Sequence, residues 1–118
     1  MPSYRVAIDI HAARPGVAPP SVLPAAEQIL AQTHRVEDRS VELVRGQPQI
    51  HLRFGVSASN DGVEDDEAEA AVRRLVEALA PYAECGRWVL RRGPGGHWRE
   101  IRSGEAEPQD PPDFPVHF

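Results

Sequence analysis

Apolar and polar residues alternate in the first segment of the chain, from Tyr4 to His11. Alternation with a period of two predicts a strand that has one apolar and one polar face. The apolar set is Tyr4, Val6, Ile8 and Ile10, and the opposite set is Arg5, Ala7, Asp9 and His11. Residues 12–20 contain three prolines and a glycine. This composition predicts a loop, since proline neither continues the ladder nor fits inside a helix.

A helical period follows the loop. Ser21 stands where an N-cap is expected, and Pro24 falls in the first turn, where proline is tolerated. Leu23, Ala26, Ile29 and Leu30 then recur at the spacing of one helix face. The pattern predicts a helix that extends to about His34.

Two alternating segments come next and are separated by a break at Gly46-Gln47-Pro48. The first runs from Val36 to Arg45 and is rich in β-branched residues. The second places apolar or small side chains on one face, namely Ile50, Leu52, Phe54, Val56 and Ala58. Two strands around a glycine-containing break predict a hairpin.

A second and longer helix is predicted after Ser59-Asn60-Asp61-Gly62. Acidic residues in its first turn complement the helix dipole, and apolar residues repeat at helical spacing. Its end is expected near residues 81–86. A final ribbon is predicted from Trp88 to Arg92 and from His97 to Ile101, joined by a turn at residues 93–96.

The order of elements is strand, helix, strand, strand, helix, strand, with one extra strand. This order predicts an α+β fold of the ferredoxin-like type, a βαββαβ sandwich with an antiparallel sheet in the order 4-1-3-2 and two helices on one face. One domain is expected over residues 1–102, with an extra C-terminal strand or hairpin. Residues 103–118 are predicted to form an irregular, acidic, Pro-rich tail whose last aromatic residues dock on this domain or on a neighbour.

Composition narrows the class of protein. The chain of 118 residues has the size of one domain, with 41% hydrophobic and 26% charged residues, as in globular proteins. Cys85 is the single cysteine, no stretch has the length of a membrane span, and the N-terminus lacks the pattern of a secretion signal. A soluble, cytoplasmic protein without a membrane partner is therefore expected. The net charge of −5 disfavours nucleic acid as a partner.

Polar residues of the first and third strands form the candidate site. If these strands lie side by side and antiparallel, Asp9 and His11 come close to His51 and Arg53. A carboxylate orients a histidine, a histidine exchanges protons near neutral pH, and an arginine holds an anion. Asp9, His11 and His51 are therefore the candidate catalytic residues. The alternative interpretation is a polar surface that needs no function beyond solvation or cross-strand pairing.

The last strand adds candidates for ligand binding. Either Val89 and Arg91 or Trp88 and Leu90 lie on the polar face, and sequence parity leaves both options open. Arg53, Arg91 and Trp88 are the predicted ligand-binding residues, since arginine with an aromatic ring suits a planar or anionic ligand. The alternative is that the two tryptophans, at positions 88 and 98, close the end of the core.

No metal or cofactor is expected. The histidines, Asp9 and Cys85 lack a recognised ligand spacing such as C-x-x-C or H-E-x-x-H. The glycine-rich segment 93–96 lacks the lysine and the following helix of a phosphate-binding loop. Cys85 is expected near a helix C-terminus, which disfavours a nucleophilic thiol.

Two functions remain after these exclusions. The first is a non-catalytic binding or regulatory module that self-associates as a dimer through its sheet face or edge, binding a protein partner or a small acidic ligand. The second is a small-molecule enzyme in which a dimer encloses a pocket over the sheet. In that enzyme His11 or His51 acts as base, Asp9 orients it, and Arg53 anchors an anionic substrate.

Overall fold

The computed structural model describes residues 3–57, 61–93 and 97–106. Two helices and five strands make up this part of the chain. A short 3-10 turn, Pro19–Ser21, leads into the first helix. The elements in chain order are β1 (Ser3–Ala13), α1 (Val22–Ala31), β2 (Arg35–Val44), β3 (Gln47–Gly55), α2 (Asp61–Leu79), β4 (Ala83–Arg92) and β5 (Arg99–Glu105).

The five strands form one sheet in the order β2-β3-β1-β4-β5. Every neighbouring pair in it is antiparallel. β1 is the central strand, because it lies between β3 and β4. Its residues therefore have cross-strand partners on both sides. The α+β class and the antiparallel sheet with two helices, expected from the order of elements, are confirmed.

Both helices pack on one face of this sheet. Their buried residues, such as Leu30 of α1 and Leu75 of α2, belong to the same apolar cluster as Val6 and Leu52 of the central strands. Ten strand residues of this face are buried: Tyr4, Val6, Ile8, Ile10, Ile50, Leu52, Phe54, Ala83, Trp88 and Leu90. Burial of a large apolar side chain contributes about 1.5 to 3 kcal/mol, so this cluster holds the helices on the sheet.

The β2–β3 hairpin turns earlier than the sequence pattern suggested. The turn consists of Arg45 and Gly46, which have φ angles of 54° and 79°. Two positive φ values are typical of a two-residue hairpin turn whose twist matches that of the strands. Pro48 consequently lies inside β3, opposite Leu43 on β2. It lies beyond the last β1–β3 pair, so its missing N–H does not interrupt that ladder.

One helix cap and two strand boundaries also differ from the sequence expectation. Ser21 precedes α1, but its hydroxyl donates to the carbonyl of Ala18 and makes no capping hydrogen bond to the helix. β4 begins at Ala83, so Cys85 lies in a strand and not beside a helix end. β5 continues to Glu105, so the first three residues assigned to the tail belong to the sheet. Residues 94–96 of the predicted turn and the tail from residue 107 lie outside the described residues.

Candidate functional site

The face of the sheet opposite the helices is formed by the residues that alternate with the core. In the register of the central strands, Ala7 is opposite both His51 and Val89, and Asp9 is opposite Gln49. We call this surface the polar face. Its central members are Arg5, Ala7, Asp9, Gln49, His51, Arg53, Val89 and Arg91.

The register settles which side of β4 joins this face. Val89 and Arg91 lie on it, since they are opposite Ala7 and Arg5. Trp88 lies on the other face, where it is 2% exposed and belongs to the core cluster. The structure therefore separates Trp88 from Arg53 and Arg91, the other two predicted ligand-binding residues.

Three arginines form a row across the polar face. Arg5 is the direct cross-strand partner of Arg53 on one side and of Arg91 on the other. We call these three residues the arginine row. Like charges directly opposite each other in a sheet repel and lower stability. The row therefore lowers the stability of the free protein, and an anion bound to the row would offset this loss.

Only one member of the row has a carboxylate partner among the described residues. Nε of Arg53 donates to Oε1 of Glu37 at 3.0 Å. A register shift in β2 between residues 36 and 38 allows Glu37 to reach this face. Arg5 and Arg91 form no ion pair or side-chain hydrogen bond within the described chain. Within the arginine row, these two guanidinium groups are therefore open to an external anion.

Trp98 lies against two of these arginines. The guanidinium carbons of Arg5 and Arg53 are each 5.5 Å from the centroid of the Trp98 ring. A cation near an aromatic ring at this distance is attracted by the quadrupole of the ring. Trp98 thus restricts the positions of both guanidinium groups. It is the tryptophan of the polar face, whereas the sequence pattern pointed to Trp88.

His51 lies beside the arginine row and is buried, with 8% exposure. Its Nε2 is 2.8 Å from Oε1 of Gln49 and 3.1 Å from Oε2 of Glu42. Its Nδ1 is buried and, among the described residues, has no hydrogen-bond partner. Since both acceptors face Nε2, the hydrogen-bond network favours a neutral ring with the proton on Nε2.

The electrostatic surroundings of His51 favour the same neutral form. Burial lowers the pKa of His51 below its ordinary value. The nearby carboxylate of Glu42 opposes this shift, while the charges of Arg5 and Arg91 add to it. Desolvation and positive neighbours both disfavour a charged imidazole. His51 is therefore neutral at neutral pH.

Gln49 lies between Asp9 and His51 in the hydrogen-bond chain. Its Nε2 donates to Oδ1 of Asp9 at 2.8 Å, and its Oε1 accepts from His51. Asp9 therefore acts on the imidazole only through the Gln49 amide. Sequence reasoning missed Gln49, although its position two residues before His51 places it on the same strand face. It also missed Glu42, which reaches His51 from the neighbouring edge strand.

His11 is exposed and lies away from this hydrogen-bond chain. Its Nδ1 is 3.4 Å from Oε1 of Gln47, and its ring packs directly on Gly86, where an added Cβ would lie 2.2 Å from Nε2. His11 lies within a register shift between β1 and β4, between Ile10 and Ala12. Of the three predicted catalytic residues, the structure connects Asp9 and His51 through Gln49 and leaves His11 apart.

The described residues give no indication of a metal site, a reactive thiol or a membrane-spanning helix. No three His, Cys, Asp or Glu side chains of the described residues come together so as to hold a metal ion. Burial raises the pKa of the Cys85 thiol to about 11, with a smaller opposing effect of Arg14. The thiol is therefore protonated at neutral pH. Among the described helices, none has the length and apolar character that a membrane crossing requires.

No family model, curated protein or solved structure matches this chain.

The buried neutral state of His51 has a consequence for stability that experiment can measure. A histidine whose pKa is lowered in the fold takes up a proton more readily when the chain is unfolded. Its contribution to the free energy of unfolding is complete above its ordinary pKa of 6.5 and is lost as the pH falls below that value. We expect His51→Gln to be less sensitive to acid than the wild type between about pH 7.5 and about pH 5.5.

Urea denaturation at both pH values measures this difference, with His11→Gln as the control at an exposed histidine. The control is expected to retain the full loss of stability that the wild type shows on acidification. Parallel pH profiles for the wild type and His51→Gln would contradict the assignment of a neutral, buried imidazole.

Proposed function

We propose that this protein is a non-catalytic binding module that holds a multivalent oxyanion, with phosphate or carboxylate groups, on the polar face of a ferredoxin-like sheet. The strand order β2-β3-β1-β4 and the placement of both helices on one face support this fold type, with β5 added beside β4. A single, half-buried cysteine supports a reducing, cytoplasmic location.

The observation that carries the proposal is the arginine row with two cations that lack a carboxylate. Arg5 and Arg91 are direct neighbours across β1 and β4, and their repulsion costs stability in the free protein. An anion placed between them removes this repulsion and accepts hydrogen bonds from both guanidinium groups. Arginine is suited to this task because its planar fork pairs with two oxygens of a phosphate or carboxylate at once.

The surroundings of the row favour binding over catalysis. A general base must expose a nitrogen to the substrate, yet Nε2 of His51 is occupied by Gln49 and Glu42 while Nδ1 is buried. The Cys85 thiol, with its raised pKa, is protonated. The catalytic alternative therefore requires His51 to leave its hydrogen bonds, whereas anion binding uses the arginines where they lie.

Titration with pyrophosphate, followed by isothermal calorimetry, tests this function. We expect Arg5→Gln and Arg91→Gln each to weaken binding about 10- to 100-fold, since a hydrogen bond to a charged group contributes about 1.5 to 3 kcal/mol. Arg91→Gln is also expected to leave thermal stability unchanged or slightly raised, because it relieves repulsion without breaking an ion pair.

Arg87→Gln is the matched control, since Arg87 is an exposed arginine of the same strand outside the row. Equal weakening of binding in this control and in Arg91→Gln would show that pyrophosphate binding depends only on the overall charge of the protein. This result would refute the proposed site. Phosphorus NMR of the same samples separates the catalytic alternative. Conversion of pyrophosphate with time, lost in His51→Gln, would replace binding by catalysis as the function.

A further inference from the structure

β2 is an edge strand with an unusual share of exposed apolar side chains. Val41, Leu43 and Val44 are 52%, 73% and 43% exposed. They are three of the five large hydrophobic residues that are exposed in the described chain. Such residues concentrated within four positions of an unpaired strand mark an interaction surface, since an open edge offers a row of backbone donors and acceptors.

The side of the sheet to which these residues point follows from the register. Val41 is opposite Ile50, and Leu43 is opposite Pro48, so both lie on the helix side of the sheet. The α1 helix reaches β2 at Arg39, whose Nη1 pairs with Glu27 at 2.6 Å. Beyond Arg39, no described helix covers Val41 and Leu43, as their exposure shows.

We propose that two copies of this chain pair antiparallel through β2, about a twofold axis at Val41, and so join their sheets into one of ten strands. The two copies of Val41 then lie opposite each other. Arg39 lies opposite the partner's Leu43, so the apolar stem of its side chain covers that residue. Four apolar side chains, two from each copy, form one cluster on the helix side.

The charges along β2 favour this register of two copies over the neighbouring registers. Directly opposite residues in an antiparallel pair share a face, so the axis must pass through a residue of β2. An axis at Val41 places Ser40 opposite the partner's Glu42, a hydroxyl against a carboxylate. An axis at Ser40 would place Asp38 opposite the partner's Glu42, and an axis at Glu42 would oppose two glutamates. An axis at Leu43 also opposes no like charges, but it pairs only residues 42–44 of each copy, because β2 ends at Val44. The axis at Val41 therefore combines apolar contact, a longer paired segment and the absence of opposed like charges.

Sedimentation equilibrium of the full chain tests the dimer, with Val41→Lys as the disrupting variant. Two lysines would face each other on the axis, and like charges at an interface cost several kcal/mol, so dimer affinity should fall about 100-fold or more. Val63→Lys is the matched control, since Val63 on α2 is 53% exposed. A wild type that stays monomeric at its highest soluble concentration would overturn the proposal, as would equal effects of the two variants.

Cysteine crosslinking tests the register without relying on the lysine variant. In a Cys85→Ala background, Val41→Cys should form a covalent dimer on mild oxidation, because the two Cβ atoms face each other within reach of a disulfide. Ser40→Cys should crosslink far less, since it is opposite the partner's Glu42. Equal crosslinking at both positions would reject this axis. A dimer that survives Val41→Lys but is lost on removal of residues 107–118 would assign self-association to the tail instead.

Discussion

Replacement of Arg92 by Ala is expected to lower the free energy of unfolding by about 3 to 5 kcal/mol, because it leaves a buried carboxylate without its counter-charge. Nη2 of Arg92 pairs with Oε2 of Glu64 at 2.9 Å, and Nη1 pairs with Oδ1 of Asp65 at 2.7 Å. Glu64 is only 6% exposed, so water cannot replace the lost guanidinium. The variant must then bury an unpaired charge or open the end of α2.

Asp65 shows how strongly this network is coupled. Burial alone would raise the pKa of Asp65, but hydrogen bonds from Tyr4 and Arg92 hold it below its ordinary value. A lowered carboxyl pKa contributes stability that is present above the ordinary pKa and is lost as the pH falls through the lowered value. The Tyr4 hydroxyl, which donates to Asp65 at 2.7 Å, links the start of β1 to the same helix turn.

Urea denaturation at neutral pH measures the Arg92→Ala effect, and Arg91→Ala is the matched control. The two arginines are adjacent in sequence, yet Arg91 lies on the polar face without a carboxylate partner in the described chain. We expect the control to change stability by no more than about 0.5 kcal/mol. If the two variants were equally destabilised, the Arg92 network would not be what anchors α2 to the sheet.

The elements with strong periodicity could be predicted from the sequence. In β1 and β3 the apolar residues occupy every second position, so the core face and the polar face follow directly from the pattern. The pairing of Ala7 with His51 then follows from an antiparallel arrangement of these strands. This is why the amino-acid pattern alone predicts that Asp9 and His51 are neighbours.

The hairpin between β2 and β3 could not be predicted in detail, for a local reason. Its turn needs a positive φ at Arg45 as well as at Gly46, and only the glycine signals that conformation in a sequence. The resulting register places Glu42 opposite Gln49, next to His51. If the turn is placed at Gly46-Gln47-Pro48, Glu42 and Gln49 are not paired. The two hydrogen-bond acceptors of His51 are then not predicted.

The faces of β4 were ambiguous because both carry apolar residues. Trp88 and Leu90 alternate with Val89, so either set fits a buried face. Tertiary packing decides the matter: Trp88 is opposite Ile8 on the helix side, and its ring lies against the backbone of Gly104, its cross-strand partner on β5. A Cβ at position 104 would lie 2.7 Å from Cζ2 of Trp88. The absence of a side chain at Gly104 thus lets the indole lie over the edge strand.

The two tryptophans should therefore respond in opposite ways to substitution. Trp88→Ala is expected to lower the free energy of unfolding by about 3 to 5 kcal/mol, since it removes a buried indole and leaves a cavity. Trp98→Ala should cost about 1 to 2 kcal/mol at most, because it loses two cation–π contacts of about 0.5 to 1 kcal/mol each. It should nevertheless weaken pyrophosphate binding, because Arg5 and Arg53 lose the ring that restricts their positions.

Urea denaturation and pyrophosphate calorimetry on the same proteins separate the two roles, with Trp88→Phe included in case the alanine variant does not fold. Phe fills most of the cavity, so Trp88→Phe should be folded, less stable than the wild type, and unchanged in its affinity for pyrophosphate. If Trp88→Phe lost affinity for pyrophosphate and Trp98→Ala did not, Trp88 would be assigned to the ligand site, as the sequence predicted. The opposite result places recognition on the polar face, because the core face is covered by both helices.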